Sequence, residues 1–113
     1  MEIIDQHITI DKLKQMAKSK FGNLVKAVID IELEIMAIDA ELHADEEQQL
    51  IENGSQQKDL WGINIYPEEN KDNWIEFDSM INLRPAQGNT SRSITSLEIQ
   101  NKIHRIVNKL IKT

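Results

Sequence analysis

Residues 25–38 read VKAVIDIELEIMAI, and this segment decides the fold that we predict. From residue 28 onward, apolar and acidic residues alternate with a period of two. The acidic side of the segment consists of Asp30, Glu32 and Glu34. Because successive side chains of a strand point to opposite faces, this alternation predicts one half-buried strand over residues 25–38.

Residues 74–83 alternate in the same way and carry Glu76 and Asp78 on their polar side. We therefore expect two strands that share one apolar face and one acidic face. The acidic sheet face comprises Asp30, Glu32, Glu34, Glu76 and Asp78. Residues 60–66 predict another strand, which Pro67 ends because proline has no N–H group for the ladder.

Two amphipathic helices flank the predicted strands. A short strand or arm precedes the first helix, for which Thr9 is a suitable N-cap and Gly22 a suitable stop. The last helix begins at a capping box formed by Thr95 and Glu98. Its apolar stripe runs to Ile111 and is broad enough to cover a sheet.

Residues 45–52 allow two interpretations. Their Glu, Gln and Leu residues favour a helix, whereas Asn53-Gly54 is typical of a hairpin turn. We expect a reversal at Asp39-Ala40 and a returning strand over residues 41–44. If that strand continued, its acidic residues would lie opposite those of the first strand, which is destabilising. We therefore favour a short helix.

These elements together predict one compact α+β domain over residues 1–113. We expect a two-layer sandwich with an antiparallel sheet of about four strands. One face of the sheet is covered by the N-terminal and C-terminal helices, because both helices have an apolar stripe to bury.

Composition limits the function. The chain has 113 residues, a net charge of −6 and no cysteine, which excludes disulfides and cysteine-based zinc sites. Nucleic acid and membrane surfaces are not expected as partners, because both select basic proteins. We expect neither a signal peptide nor a membrane span, and we place the protein in the cytoplasm.

Several short motifs carry a family resemblance. They are ELHAD (residues 41–45), LWGIN (60–64), DSMINLRP (78–85) and QGN (87–89). Together they resemble a family of short, uncharacterised bacterial proteins that is classed only as a domain of unknown function. The likeness extends from Lys26 to the C-terminus. The resemblance implies a compact bacterial domain and no established activity, so it assigns no catalytic residue.

The acidic face is the first candidate site. A divalent cation such as Mg²⁺ or Mn²⁺ is bound by carboxylates and imidazole, and it activates water for phosphoester hydrolysis. The candidate metal ligands are Glu34, His43, Asp45 and Asp78. The candidate catalytic residues are His43, Asp45 and Asp78. The outer face of an antiparallel sheet is normally polar, however, so we favour a merely solvated face and expect no cofactor.

The loop over residues 84–93 is the second candidate site. It combines two guanidinium groups, small polar side chains and a glycine, and it precedes a helix, so it suits a small anionic ligand. The candidate ligand-binding residues are Arg84, Gln87, Asn89 and Arg92. Against this, an ion pair from Arg84 to Asp78 or Glu76 would make the loop only a structural connection, and we favour that reading.

The function that we favour is a small binding or interaction module that forms a homodimer. Exposed strand edges and the small core of so short a chain are the reasons for expecting a dimer. The first alternative is a metal-dependent hydrolase of phosphoesters or nucleotides. The second is a regulatory protein whose acidic face docks on a basic partner.

Overall fold

The structure, a computed structural model, describes residues 1–113. Its three α-helices are α1 (Ile10–Lys20), α2 (His43–Glu52) and α3 (Leu97–Leu110). Its strands are β1 (Glu2–Ile4), β2 (Ile8–Thr9), β3 (Val25–Asp30), β4 (Ile35–Ile38), β5 (Leu60–Ile65), β6 (Ile75–Glu76) and β7 (Ile111–Lys112). None of the helices has the length and apolar character that crossing a membrane requires.

Five of the strands form one antiparallel sheet in the order β1-β4-β3-β5-β6. The remaining two, β2 and β7, form a separate parallel pair that joins Ile8 to Ile111. The α+β class is therefore confirmed. The predicted strand over residues 60–66 and the first and last helices are also present.

The prediction of one long strand over residues 25–38 is wrong. The segment is a hairpin, in which Asp30 at the end of β3 pairs with Ile35 at the start of β4. The Asp30 carboxylate accepts the backbone N–H groups of Glu32 and Leu33, both at 2.9 Å. An aspartate that binds the backbone two residues ahead favours a turn, and here it ends the strand.

The N-terminal and C-terminal helices cover one face of the sheet, as predicted, but α2 covers the other face, which the two-layer prediction did not include. On one face, α1 and α3 pack on the sheet in a cluster of 19 buried apolar residues that includes Leu13, Ile29 and Ile103. On the other face, Leu50 of α2 packs on a much smaller cluster in β3, β4 and β5. Strand β5 is buried along its whole length, as expected of a strand between two layers.

The returning strand over residues 41–44 does not form, whereas the helix that we favoured for residues 45–52 does. Asp39 adopts a left-handed conformation with φ of 72°, and the chain enters α2 at His43. The buried Glu46 side chain accepts the backbone N–H of Ala40 at 3.0 Å. The Ala40 N–H therefore bonds to the Glu46 side chain of α2, and the predicted strand pairing of residues 41–44 is absent.

The predicted strand over residues 74–83 ends after Glu76, and residues Met80–Asn82 form a 3₁₀ turn. The Asn82 amide then takes the place of a strand beside Gly62. It accepts the Gly62 N–H at 2.8 Å and donates to the Gly62 carbonyl at 2.9 Å. Gly62 must lack a side chain here, because a Cβ atom would lie 2.6 Å from the Ser79 side chain.

Helix caps are partly as expected. Thr9 caps α1, and its hydroxyl accepts the backbone N–H of Lys12 at 3.2 Å. The cap of α3 is Ser96 rather than the predicted Thr95. The Thr95 hydroxyl instead donates to Asn89 Oδ1 at 3.1 Å. It therefore bonds to the loop before α3 and does not cap the helix.

Candidate functional site

A pocket of about 440 Å³ lies between the start of α2 and the segment over residues 78–81. Its polar lining consists of Lys26, His43, Asn64, Asp78, Ser79 and Arg92. These residues come from β3, α2, β5 and the two segments that follow β6. The pocket therefore forms only when the sheet and α2 are assembled, on the face opposite the large apolar cluster.

His43 is the first residue of α2, and its ring is almost fully buried in the pocket wall. Its Nε2 lies 2.8 Å from the carbonyl oxygen of Ile63. A carbonyl only accepts, so Nε2 carries the hydrogen and the neutral ring keeps its lone pair on Nδ1. Burial lowers the pKa of His43, and the nearby Lys26 lowers it further, so the ring is neutral at neutral pH.

Arg92 and Asp78 form an ion pair at the pocket wall. The Arg92 Nε donates to Asp78 Oδ1 at 2.8 Å, and both side chains are about half exposed. The backbone of Arg92 is held in place, because the backbone N–H of Ser79 and the Asn82 amide both donate to its carbonyl oxygen. The terminal nitrogens of Arg92 form no hydrogen bond within the protein, which leaves them free for an anion.

Lys26 and Asn64 lie opposite each other on β3 and β5. The Lys26 ammonium is 5.2 Å from the centroid of the Phe21 ring and forms no ion pair. Asn64 donates through Nδ2 to Glu76 Oε1 at 2.9 Å and to the Asp78 carbonyl at 3.3 Å. Its own Oδ1 is buried and has no hydrogen-bond partner.

The start of α2 adds two backbone donors. Leu42 is the N-cap residue, and a leucine has no side-chain acceptor for the first N–H groups of a helix. The N–H groups of His43 and Ala44 consequently have no partner in the protein. Both residues line the pocket, so the positive end of the α2 dipole lies at its wall.

The mouth of the pocket is apolar. Phe21, Leu42 and Met80 line it and are respectively 40%, 56% and 62% exposed. Exposed leucine and phenylalanine side chains are unremarkable singly, but here three large apolar side chains surround one opening. A pocket that combines apolar side chains with a few polar groups is typical of small-molecule sites.

A buried carboxyl group lies one helical turn from His43. Glu46 has no exposed surface; its Oε2 accepts the Ala40 N–H and its Oε1 has no partner. Burial raises the pKa of Glu46 to about 9, although the Ala40 hydrogen bond and Lys26 act in the opposite direction. The side chain is therefore a neutral acid at neutral pH.

Of the residues predicted for a site, the structure brings His43, Asp78 and Arg92 to this one pocket. Asp45 is in the first turn of α2 but does not line the pocket. Glu34 lies in the β3–β4 turn and pairs with Lys109 of α3 at 3.0 Å. The predicted metal ligands are thus divided, and no group of three or more histidine, aspartate or glutamate side chains is arranged to hold a metal ion.

The acidic sheet face does not exist as predicted. Asp30 is fully buried, and the Ser55 hydroxyl donates to its Oδ2 at 2.6 Å. Glu32 follows the end of β3 and lies in the turn. Glu76 accepts hydrogen bonds from Asn64 and Tyr66. The phosphoester hydrolase and the regulatory protein that docks on a basic partner stay predictions.

The other predicted ligand-binding residues stabilise the loop itself. Arg84 pairs with Glu47 of α2 at 3.0 Å, rather than with Asp78 or Glu76. The Gln87 amide donates to the Lys58 carbonyl, and the buried Asn89 amide donates to three carbonyl groups of its own loop and its neighbour. None of these three residues lines the pocket.

Lys26, Asn64 and the start of α2 were missed by sequence reasoning. A lysine and an asparagine inside apolar strands are visible in the sequence, but only the β3–β5 register places them side by side. The absence of a capping side chain at Leu42 would have been a usable signal if the helix start had been predicted at His43 rather than at Asp45.

Comparison with known proteins adds one finding. The family model described as a protein of unknown function (DUF5674) matches residues 2–110. The match covers nearly the whole chain, including the segment before Lys26 that the resemblance had not included. Neither the curated proteins nor the solved structures contain a match to the chain.

Proposed function

Because the chain belongs to DUF5674, a family of unknown function, we propose its function from the pocket: it is a binding module for a small anionic ligand that also has an apolar part. The observation that carries the proposal is the convergence of three kinds of positive group on one pocket with exposed apolar side chains. They are the unpaired Lys26 ammonium, the terminal nitrogens of Arg92, and the N–H groups at the start of α2. We also propose a bacterial origin and a cytoplasmic location, as the sequence analysis predicts.

The anionic character of the ligand follows from the donors of the pocket. Lys26 has no carboxylate partner, and Arg92 uses only Nε on Asp78. The N–H groups of His43 and Ala44 add the positive end of a ten-residue helix. Asp78 supplies the one carboxylate of the lining, so the pocket has a net positive charge although the whole chain carries −6. Such a site attracts carboxylates and phosphates.

The apolar part of the ligand follows from the mouth. A ligand ring or alkyl group seated between Phe21, Leu42 and Met80 would remove apolar surface from water, which favours binding by about 25 cal/mol per Å². The volume of about 440 Å³ is within the range of small-molecule pockets. A ligand with about ten non-hydrogen atoms, such as an arylacetate, fits these requirements.

Phenylacetate tests the proposal, with the uncharged phenylacetamide as its matched probe. We expect phenylacetate to bind with a Kd of about 1 mM or tighter, and phenylacetamide to bind about tenfold more weakly. The measurement is an NMR titration of the ¹⁵N-labelled protein, in which the resonances of residues around His43 shift. Equal affinity for the two probes, or no binding of either, would contradict the proposal.

Two arginine variants locate the site. Arg92→Gln removes a guanidinium of the pocket, and we expect it to weaken phenylacetate binding about fivefold or more. Arg105→Gln removes a guanidinium from α3, which lies on the opposite face of the sheet, and serves as the control. If both variants bind phenylacetate like the wild type, the anion is not held at Arg92.

We also propose that the protein is a homodimer, as the sequence predicts. The support is the outer edge of β1, which pairs with β4 on one side and has no strand on the other. Unpaired strand edges are sites of strand addition between chains. Size-exclusion chromatography with light scattering at about 50 µM measures the mass, and a purely monomeric peak would contradict this part of the proposal.

A further inference from the structure

A polar atom in the pocket wall indicates which anions the pocket selects, if it is the ligand site that we propose. The Oδ1 atom of Asn64 is a hydrogen-bond acceptor without a partner, on a residue that is only 7% exposed and lines the pocket. Buried polar groups in proteins are almost always hydrogen-bonded, so an exception beside a cavity points to a group that the ligand supplies.

The orientation of the Asn64 amide is determined by its neighbours. Its Nδ2 donates to Glu76 Oε1 and to the Asp78 carbonyl, and both of these atoms can only accept. Exchanging the oxygen and nitrogen of the amide would bring an oxygen against two acceptors. Tyr66 also donates to Glu76 Oε1, which fixes that carboxylate in place. The unpartnered atom is therefore an oxygen and requires a donor.

His43 provides a second acceptor in the same pocket. Its Nε2–H is used by the Ile63 carbonyl, which leaves the Nδ1 lone pair without a partner in the protein. Burial favours the neutral ring, in which this lone pair is available. Two residues that each carry an acceptor without a donor, on two different elements, line one pocket together with Lys26, which has no carboxylate partner.

The register of the sheet places an acceptor beside a cation. Lys26 and Asn64 are directly opposite each other on β3 and β5. Side chains opposite each other in an antiparallel pair are in contact range. An anionic group held by Lys26 would consequently bring the ligand atoms next to it close to Asn64 Oδ1.

We propose that the pocket selects anions that carry a hydroxyl or amino donor next to the anionic group, with Asn64 Oδ1 as the acceptor that recognises the donor. The ligand class is that of α-hydroxy and α-amino carboxylates with an apolar side chain. Asn64 is the specificity-determining residue, and His43 Nδ1 is a second acceptor for the same donor or its neighbour. This inference rests on the proposed function and adds a requirement to it.

Mandelate and phenylacetate differ by one hydroxyl group next to the carboxylate, so they test the donor requirement directly. We expect one enantiomer of mandelate to bind the wild-type protein about tenfold more tightly than phenylacetate, because a site with an unpaired buried acceptor discriminates against a ligand without the donor. Both enantiomers are titrated separately. The readouts are the Kd and the chemical shift of the Asn64 side-chain amide.

Variants assign the effect to one atom. Asn64→Leu removes the acceptor at similar size, and we expect the preference for mandelate to fall below about threefold. Asn101→Leu, at an exposed position of α3, is the control and should keep the preference. If Asn64→Leu does not fold, the wild-type comparison and the shift of the Asn64 amide on binding mandelate still decide the question.

Two outcomes separate the inference from the proposed function. If phenylacetate binds and neither enantiomer of mandelate binds more tightly, the donor requirement is wrong and the binding function stands. If neither phenylacetate nor mandelate binds at 10 mM, the proposed function and the inference are both wrong.

Discussion

The face of the sheet under α1 and α3 is packed by a cluster of 19 buried apolar residues, whereas the apolar cluster under α2 has four. The α2 face buries polar groups instead, among them His43, Glu46, Asn64 and Arg84. Burying a polar group costs free energy unless it finds a partner. One face of the sheet therefore provides most of the apolar burial of the fold, while the other retains unpaired polar atoms beside a cavity.

The largest expected effect comes from the apolar face. Ile29→Ala removes a side chain with no exposed surface from the large cluster. We expect the free energy of unfolding to fall by about 4 kcal/mol, from lost burial and from the cavity that remains. Urea unfolding measures it, and the affinity for phenylacetate below the transition should stay within twofold of the wild type.

The control for this prediction is Ile51→Ala, at a position of α2 that is 37% exposed. It should lower the free energy of unfolding by less than about 1 kcal/mol. Similar losses at Ile29 and Ile51 would contradict the prediction, because burial in the large cluster would then add nothing to the stability.

The next effect comes from the polar face. Asn82→Ala removes the amide that pairs with both backbone groups of Gly62 and donates to the Arg92 carbonyl. The buried backbone groups left without partners should lower the free energy of unfolding by about 3 kcal/mol. Unlike Ile29→Ala, this variant should also weaken phenylacetate binding, because Arg92 loses its support.

Asn101→Ala, at an exposed site on α3, is the matched control and should change stability by less than about 0.5 kcal/mol. Urea unfolding and phenylacetate titration are run on both variants. An Asn82→Ala protein that is destabilised but binds phenylacetate normally would separate the Asn82 contacts from the pocket.

The smallest effect has the opposite sign. The folded-state pKa of Glu46 is about 9, against 4.5 for the ordinary side chain. Between these values the unfolded chain releases a proton that the folded protein keeps, so the contribution of Glu46 is fully present below about 4.5 and is lost as the pH rises through about 9. Glu46→Gln cannot ionise and should be more stable than the wild type at pH 8, by about 2 kcal/mol.

Urea unfolding at pH 4, 6 and 8 measures this difference, which should grow with pH. Glu41→Gln, at an exposed position before α2, is the control and should show no such trend. If Glu46→Gln is less stable than the wild type at pH 8, the carboxyl group is ionised and paired in the folded protein, contrary to the structure.

The sequence predicted the elements whose signals are local. Strand β5, the Thr9 cap and the apolar stripe of α3 depend on neighbouring residues. The β3–β4 hairpin was missed because the alternation of residues 25–38 continues through the turn. In the structure Ile29 faces the large cluster, whereas Ala37 faces α2. Both faces of these strands are buried, so apolar residues on either side look the same in the sequence.

The pocket could be predicted only in part, for a similar reason. His43, Asp78 and Arg92 were each selected by residue type, but two of them were placed in a metal site and one in an anion site. The three residues line one pocket only because β5 pairs with β3 in this register and α2 covers the sheet. Lys26 and Asn64 lie 38 positions apart in the chain and have no local signal that pairs them.

The Asn82 amide at Gly62 also affects how chains can associate. Beyond the end of β6, the unpaired backbone of β5 could pair with an extended peptide from another molecule. The Asn82 side chain prevents this at Gly62, because it occupies both the N–H and the carbonyl of that residue. Strand addition is therefore blocked at Gly62, whereas the outer edge of β1 stays open. No residue of β1 or β4 lines the pocket, so two copies that paired along β1 would use none of its lining residues in that pairing.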